Sequence, residues 1–255
     1  MTTFAIEELE TFFQNGFVAV PNLVDCNLVQ HMLELTDAFV QDETPPIEYE
    51  ADLGYPGAPS AIDAPGGRTI RRLRQAISRH PVFFDWATSP SIANRVRQLL
   101  GPNIVMPLAH HNCIMVKHPR FSSDTGWHQD IRYWGFQRPD LVSVILALTP
   151  AFVENGCLRF LPGTHNMDFQ AYQLDELKFL RTDLPENQKL LNTAVGVDMN
   201  PGDVVFFHSK TFHAATRNRS NSVRTSVLFT YRSTDNLPVA GTRSADMPEF
   251  FFPQG

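Results

Sequence analysis

The stretch "DVVFFHSKTFHAATRNRSNSVRTSVLFTYRS", residues 203–233, decides the fold class. Two runs rich in β-branched and aromatic residues flank a polar segment, which is the pattern of β-strands separated by turns. Similar short runs extend back to residue 103, with turn signals such as "ENG" and "NPGD" between them. The sequence therefore predicts a mainly β protein with an all-β sandwich or barrel as its core.

The region before residue 103 has a helical texture. Residues 4–41 predict a helix, a short strand and a second helix, because their apolar residues recur near helical spacing. Another helix is predicted over 87–100, since Ser89-Pro90 favours a start and Gly101-Pro102 favours a stop. We expect these helices to flank the β core.

Two polar segments interrupt this pattern. Residues 42–67 contain five prolines, six acidic residues and no Lys or Arg, so we expect no regular element there and a possible lid. Residues 166–192 are polar and partly helical, which predicts an insertion between strands. We expect one domain over 1–255, with a helical part to about residue 100 and a β core over about 103–232.

Composition limits the kinds of partner and compartment. The chain is 43% hydrophobic, has a net charge of −6 and lacks a long basic run, so nucleic acid is not an expected partner. The three cysteines are scattered and form no CxxC, which suits a reducing cytoplasm. The N-terminus is acidic, and no apolar run approaches the roughly 18 residues needed to cross a bilayer. We expect an untargeted cytoplasmic protein without a membrane segment.

A possible metal site lies in "GWHQDIRYWGF", residues 126–136. If this stretch is a strand, His128 and Asp130 are two apart and share a face, as adjacent metal ligands require. Two imidazoles and one carboxylate that leave open positions are typical of Fe(II). The third ligand must come from a distant strand, where His208 and His213 are both candidates and spacing does not choose between them.

The order of motifs from about residue 84 to 232 resembles the phytanoyl-CoA dioxygenase-like family of Fe(II)/2-oxoglutarate oxygenases. The resemblance implies a double-stranded β-helix, the jelly-roll or cupin-like fold, and it implies that His213 rather than His208 is the third ligand. The motifs that carry it are His128-Gln129-Asp130, "ENGCLRFLPGTH" at 154–165, Pro201-Gly202-Asp203, "RNRSNSVR" at 217–224, and Arg224 eleven residues after His213.

The resemblance also implies a chemistry. Fe(II), 2-oxoglutarate and O2 would be required, ascorbate could sustain activity, and a small-molecule metabolite would be oxidised with release of succinate and CO2. Arg224 would bind the far carboxylate of 2-oxoglutarate, because its guanidinium matches a carboxylate with two parallel hydrogen bonds. Related halogenases have a small residue in place of Asp130, so this aspartate favours hydroxylation or desaturation.

The chain departs from better-known members of the family near the cosubstrate. Leu146 aligns with a tryptophan of those relatives, and Ala215 aligns with a serine. Cys113 aligns with a methionine at the cosubstrate site, and we expect His111 to share its strand face. Cys113 and His111 are therefore further candidates for binding 2-oxoglutarate.

The arginines of "GRTIRRLR", residues 67–74, have two interpretations. They could be solvated or pair with the acidic segment 42–67, or they could bind an anionic substrate. On the second interpretation Arg72, Arg74 and Trp134 are candidate substrate contacts, although an aromatic residue such as Trp134 is more often part of a core.

Two other functions remain open from the sequence. The protein could be a catalytically silent jelly-roll that binds a ligand or a different metal. It could also be another cupin-like metalloenzyme, such as an isomerase, which would have no need of Arg224. A second metal site at His110 and His111 is disfavoured, because neighbouring residues of a strand point to opposite faces.

Overall fold

The computed structural model describes residues 1–253, which form two antiparallel β-sheets with helices on one side. The strands are β1 (Phe17–Val20), β2 (Ile47–Tyr49), β3 (Ile70–Arg74), β4 (Ile104–Pro107), β5 (Cys113–Lys117), β6 (Thr125–His128), β7 (Leu141–Ala147), β8 (Arg159–Phe160), β9 (Val195–Gly196), β10 (Val204–His208), β11 (His213–Ala215), β12 (Arg224–Ser233) and β13 (Glu249–Phe251). The α-helices are α1 (Ile6–Asn15), α2 (Cys26–Gln41), α3 (Ala76–Arg79), α4 (Pro81–Ala87), α5 (Pro90–Leu100), α6 (Pro185–Leu191) and α7 (Arg243–Asp246).

The stretch that decides the fold supplies the centre of both sheets. The larger sheet has nine strands in the order β1-β10-β7-β12-β5-β3-β2, with β4 beside β12 and β13 beside β4. The smaller sheet has the order β6-β11-β8-β9. All of these pairs are antiparallel, so the predicted mainly β class with flanking helices is confirmed.

Strand β7 shows why the two faces of the larger sheet differ. Its residues alternate, as the period of a strand requires. Val142, Val144 and Leu146 pack into a large core together with the N-terminal helices. Ile145 and Ala147 belong to a separate apolar cluster, which includes Phe160 of the smaller sheet. The face of β7 that the helices do not cover therefore packs toward the smaller sheet.

The N-terminal helices form as the sequence predicts. Helix α2 is capped by Asp25, whose carboxylate accepts from the Asn27 N–H at 2.9 Å. Helix α5 has Ser89 as N-cap, Pro90 in its first turn and Gly101 as C-cap. Residues of α2, α4 and α5 are buried against the larger sheet, and no helix within residues 1–253 has the length and apolar character to span a membrane.

The prediction that residues 42–67 contain no regular element is wrong in part. Ile47–Tyr49 forms strand β2, and Glu50–Asp52 forms a short 3-10 helix. The strand forms because it pairs with β3 and because buried Glu48 faces arginines of that strand. A prediction from one sequence takes acidic residues as signs of a solvated loop. It therefore misses ion pairs between residues that are distant along the chain.

Two stretches that the sequence predicts as strands are broken. Residues 103–118 form β4 and β5 with a turn between them, and His111 lies in that turn at a positive φ of 41°. His111 therefore shares no strand face with Cys113. Strand β6 ends at His128, and Asp130 begins a 3-10 helix. The expectation that His128 and Asp130 project side by side from one strand is wrong, although both still reach the same site.

Residues 166–192 carry one α-helix, α6, and Leu180 of this segment packs in a small apolar cluster with Leu161 and Phe212 of the β core. The tip of this segment reaches back toward β6, where the ring of Phe179 meets that of His128 with centroids 5.8 Å apart. Residues 234–253 add α7 and β13, which lie beyond the part of the chain that the motif pattern covers.

Replacing Phe206 by Ala tests the large core. Phe206 is fully buried and meets the ring of Phe4 edge to face, with centroids 4.9 Å apart. We expect the free energy of unfolding in denaturant to fall by about 3–5 kcal/mol, because a large apolar side chain leaves a cavity. Phe251→Ala is the control, since Phe251 is 62% exposed. An equal loss in both variants would contradict this description of the core.

Candidate metal centre

His128 and His213 are brought together by the smaller sheet. They are direct partners across β6 and β11, and their ring centroids lie 4.2 Å apart. Each ring donates its Nδ1–H to a backbone carbonyl, His128 to Gly126 at 2.9 Å and His213 to Thr211 at 3.0 Å. These two hydrogen bonds leave each Nε2 with a lone pair, which is the form that binds a metal ion.

Asp130 completes a triad with the two histidines. Its Oδ1 lies 3.7 Å from Nε2 of His128 and 3.5 Å from Nε2 of His213. Ligand atoms of the three residues all lie within 4.8 Å of one another. His208, the other candidate, is at a different place, where its Nε2 is 3.7 Å from Asp140. Of the two histidines that spacing could not separate, the structure therefore brings His213 to the triad.

The protonation states of His128 and Asp130 suit a metal ion. Burial, and after it the neighbouring His213, lowers the pKa of His128 well below its usual value, so this imidazole is neutral. Burial opposes ionisation of Asp130, but the facing imidazoles of His111 and His213 outweigh it and hold the pKa of Asp130 well below its usual value. Neutral imidazole and ionised carboxylate are the forms that bind metals.

Asp130 is also held by groups outside the triad. The Nε2 of His111 lies 3.3 Å from its Oδ1, and the Ser143 hydroxyl lies 3.3 Å from its Oδ2. Ser143 is in turn within hydrogen-bond distance of His111 and Thr230. His111, which the sequence offers as a cosubstrate contact, therefore contacts the aspartate directly. Ser143 was missed because nothing in the local sequence of β7 relates it to Asp130.

A narrow cavity of about 70 Å3, here called the inner chamber, adjoins the triad. Arg224 lies in it, 5% exposed, and donates from Nη1 to the carbonyl of Gly156. Its Nε is buried and has no hydrogen-bond partner within residues 1–253. Burial lowers the pKa of Arg224 to about 10, so the side chain stays charged at neutral pH. The inner chamber is bounded by Arg71, Lys117, Ile145, Phe207, His213 and Arg224.

Lys117 is a second buried basic residue of the inner chamber. It is the direct partner of Arg224 across β5 and β12, and its Nζ donates to the carbonyl of Ser123 at 2.9 Å. Burial, followed by the charges of Arg224 and Arg71, lowers the pKa of Lys117 well below its usual value. No motif marks this lysine, and only the register of the two strands relates it to Arg224.

The two positions that differ from better-known members of the family, Leu146 and Ala215, lie in different parts of the structure. Ala215 lines the inner chamber, as its alignment with a serine implies. Leu146 faces the core with the helices, so its alignment with a tryptophan of the site is wrong by position. Its neighbour Ile145 lines the chamber instead. Cys113 borders the wider cavity described next, and burial raises the pKa of its thiol to about 11.

A wider cavity of about 490 Å3, the outer chamber, shares His128 and Asp130 with the inner one. Arg72, Arg74 and Trp134, the predicted substrate contacts, all line it. Trp134 is half-buried and stacks on His110 with centroids 4.9 Å apart. The chamber also contains two arginines that the sequence did not single out. It is bounded by Tyr55, Arg72, Arg74, Arg132, Trp134 and Arg243.

Ion pairing accounts for part of the arginine cluster. Glu48 lies 3.4 Å from Arg72 and 3.6 Å from Arg74, and Arg68 pairs with Glu43. The interpretation that these arginines pair with the acidic segment 42–67 therefore describes them well. His110 is within 2.7 Å of the Ser244 hydroxyl and joins no metal-binding group with His111 among residues 1–253.

Comparison with known proteins places this geometry in a family. A family model described as phytanoyl-CoA dioxygenase (PhyH) matches residues 12–226. The human peroxisomal phytanoyl-CoA dioxygenase is 27% identical over 250 residues, which cover 93% of this chain and 71% of that protein. An ectoine dioxygenase of Bordetella parapertussis is 24% identical, with coverage of 90% of this chain and 76% of that protein.

Solved structures share the fold. The α-ketoglutarate-dependent carbocyclase SnoK from nogalamycin biosynthesis has a TM-score of 0.72 at 20% identity, with coverage of 98% of this chain and 97% of that one. EctD from S. alaskensis, solved with 2-oxoglutarate and 5-hydroxyectoine, has a TM-score of 0.76 at 17% identity and coverage of 92% and 78%. The predicted jelly-roll is confirmed. Since the family model spans most of its length, the chain belongs to the phytanoyl-CoA dioxygenase family.

Proposed function

We propose that this protein is an Fe(II)- and 2-oxoglutarate-dependent oxygenase that hydroxylates or desaturates a small-molecule metabolite. The observation that carries the proposal is the convergence of His128, Asp130 and His213 beside a chamber that holds buried Arg224. Membership of the family supports the same activity. We further propose a single oxygenase domain over 1–255 and, because the three cysteines are free thiols, a cytoplasmic location.

The triad fits iron by its donor set. Two imidazole nitrogens and one carboxylate oxygen would hold Fe(II) and leave coordination positions open. The backbone hydrogen bonds of His128 and His213 orient both rings before any metal binds, and the contacts of His111 and Ser143 orient the carboxylate. Outer partners of this kind strengthen metal binding, because the ligands need little rearrangement.

The inner chamber fits 2-oxoglutarate by its charge. Three arginines line it, against the two carboxylates of Glu50 and Asp130, so an incoming dianion finds an excess of positive charge. The unpartnered Nε of Arg224 offers a donor to the far carboxylate, and the Lys117 amine would supply a further donor beside it. Bound together and supplied with O2 as the oxidant, iron and 2-oxoglutarate would provide the oxidative decarboxylation that releases succinate and CO2.

The remaining residues of the inner chamber exclude water and position the reactants. Ile145, Phe207 and Leu228 form an apolar wall beside the triad. Displacing water there strengthens the interactions of Arg224 with its anion, because the local dielectric is low. The named relatives act on phytanoyl-CoA and on ectoine, which supports a small-molecule substrate for this chain.

Succinate formation tests the assignment of the third ligand. With Fe(II), ascorbate, 2-oxoglutarate and O2, we expect wild type and His208→Ala to form succinate and His213→Ala to form none, because only His213 belongs to the triad. Succinate is measured by chromatography, with and without iron. Equal rates in both variants would sink the assignment, and binding of 2-oxoglutarate without turnover on broad substrate panels would favour a ligand-binding protein.

Ser143→Ala tests the support of Asp130. We expect Fe(II) to bind about ten- to a hundredfold more weakly in anaerobic titrations, because an outer partner of the carboxylate is lost. Ser226→Ala is a matched control, since Ser226 lies on β12 and its buried hydroxyl has no hydrogen-bond partner among the described residues. Unchanged iron affinity in Ser143→Ala would show that Asp130 is positioned without this hydroxyl.

Arg224→Gln tests the cosubstrate site. We expect KM for 2-oxoglutarate to rise at least about tenfold, because a charge-assisted hydrogen bond to a carboxylate is lost. Arg224→Lys is the companion variant, and we expect it to retain part of the affinity because it keeps the charge but not the planar fork. Full activity of Arg224→Gln would instead support a cupin-like metalloenzyme that needs no 2-oxoglutarate.

A further inference from the structure

The outer chamber opens onto the triad and is large enough for a small molecule. Its volume of about 490 Å3 lies within the usual range of ligand pockets. It meets the inner chamber at His128 and Asp130, so a molecule in it would lie beside the proposed iron site while 2-oxoglutarate fills the inner chamber. This inference therefore rests on the proposed function.

The outer chamber is lined by basic residues, although the chain as a whole is acidic. The chain has a net charge of −6, yet four arginines line this chamber. Its lining contains a single carboxylate, that of Asp130, which belongs to the triad. Glu48 is the ion-pair partner of both Arg72 and Arg74. It also lies 3.6 Å from Nε of Arg71, whose Nη1 lies 3.3 Å from Glu50. Two carboxylates thus serve three guanidinium groups.

The other two arginines have no carboxylate partner at all. Within residues 1–253, no Asp or Glu lies at ion-pair distance from Arg132 or Arg243. The guanidinium of Arg132 is held in place, 3.9 Å from the ring centre of Phe179 and 3.1 Å from the carbonyl of Leu177. Arg243 is exposed and lines the same chamber, and no hydrogen bond within residues 1–253 occupies its side chain.

The chamber also offers a flat apolar surface. The indole of Trp134 is half-buried and is fixed by stacking on His110 and by an edge contact with His111. Leu108 and Met247 extend this surface. Pockets that combine such walls with a few placed charges bind molecules with an apolar body and one polar group, and the polar group sets their orientation.

We propose that the outer chamber binds a small anionic substrate, whose carboxylate or phosphate group is held by Arg132 and Arg243 while its apolar body lies against Trp134. Arg74, which is half-exposed and shares Glu48 with two other arginines, adds to the attraction. Arg132 and Arg243 are thereby specificity residues of the proposed oxygenase. When the anionic group is held there, the rest of the substrate can extend toward the triad.

Calorimetric titration with matched probes tests the proposal. The protein is loaded with Fe(II) and saturating 2-oxoglutarate without oxygen, so the inner chamber is not available to the probes. Naphthalene-2-carboxylate and 2-naphthyl phosphate are compared with the neutral naphthalene-2-carboxamide. We expect at least one anion to bind about tenfold more tightly than the amide, with a preference that weakens at high salt. The stronger of the two anions identifies the group as carboxylate or phosphate.

Arginine variants then test which side chains cause the preference for anions over the neutral amide. We expect Arg243→Gln and Arg132→Gln each to reduce anion affinity about five- to tenfold while the amide affinity, which reports on an intact chamber, is kept. Arg120→Gln is the matched control, because Arg120 is exposed, has no ion pair and lies outside both chambers. Anion binding no tighter than that of the amide, or an undiminished preference in both chamber variants, would overturn the proposal.

Substrate-free succinate formation by wild type separates the two conclusions. If wild type forms succinate but shows no preference for anions, the anionic substrate is wrong and the oxygenase stands. If wild type prefers anions in the outer chamber but forms no succinate, either without substrate or with a broad panel of substrates, the chamber is an anion site and the proposed function fails.

Discussion

Three imidazoles converge on one buried carboxylate, and the rest of the site is arranged around this contact. His111, His128 and His213 each place Nε2 within 3.7 Å of Asp130 Oδ1. A carboxylate at 6% exposure is costly to bury without donors, so the fold depends on His111 and Ser143, which each lie 3.3 Å from its oxygens. The Nε2 lone pairs of His128 and His213 face it as the proposed metal ligands. The three imidazoles come from the turn before β5, from β6 and from β11, which ties both sheets to one point.

A second set of buried charges lines the inner chamber. Arg71 is 2% exposed and reaches Glu50 at 3.3 Å, the Ser123 hydroxyl at 2.6 Å and the Thr125 hydroxyl at 3.1 Å. Such a network is stable only when its members are hydrogen-bonded, because each unpaired charge would lose its hydration. It therefore joins the segment 47–52 to the strand that carries His128.

Much of the fold and the triad could be predicted, because the informative signals are local or ordered along the chain. The boundaries of α5 follow from Ser89 and Gly101, and the choice of His213 follows from motif order. The errors concern contacts between distant residues. Strand β2 depends on Glu48 meeting arginines of β3, and the position of His111 depends on a positive φ in a turn. Neither the ion pairs of Glu48 nor the turn at His111 produces a hydrophobic period or a motif spacing that could be recognised in the sequence.

The same limit explains which site residues were missed. Ser143, Lys117 and Arg243 are ordinary residues in ordinary sequence contexts. Strand register or chain reversal brings Ser143 to Asp130, Lys117 to the inner chamber and Arg243 to the outer chamber. Hydrophobic periodicity indicates that β7 has two faces, but it does not tell which face will meet Asp130. The one-residue error at Leu146 has this origin, because an alignment by position cannot see which way a strand residue points.

The tip of the 166–192 segment is attached through its backbone. The carbonyl of Leu177 accepts from Arg132 at 3.1 Å and from the Tyr133 hydroxyl at 2.9 Å. A carbonyl is present whatever the side chain, so mutational drift at Leu177, whose side chain is 57% exposed, leaves this attachment intact. The segment can thus diversify its outer surface over generations while the arginine beneath it keeps its place.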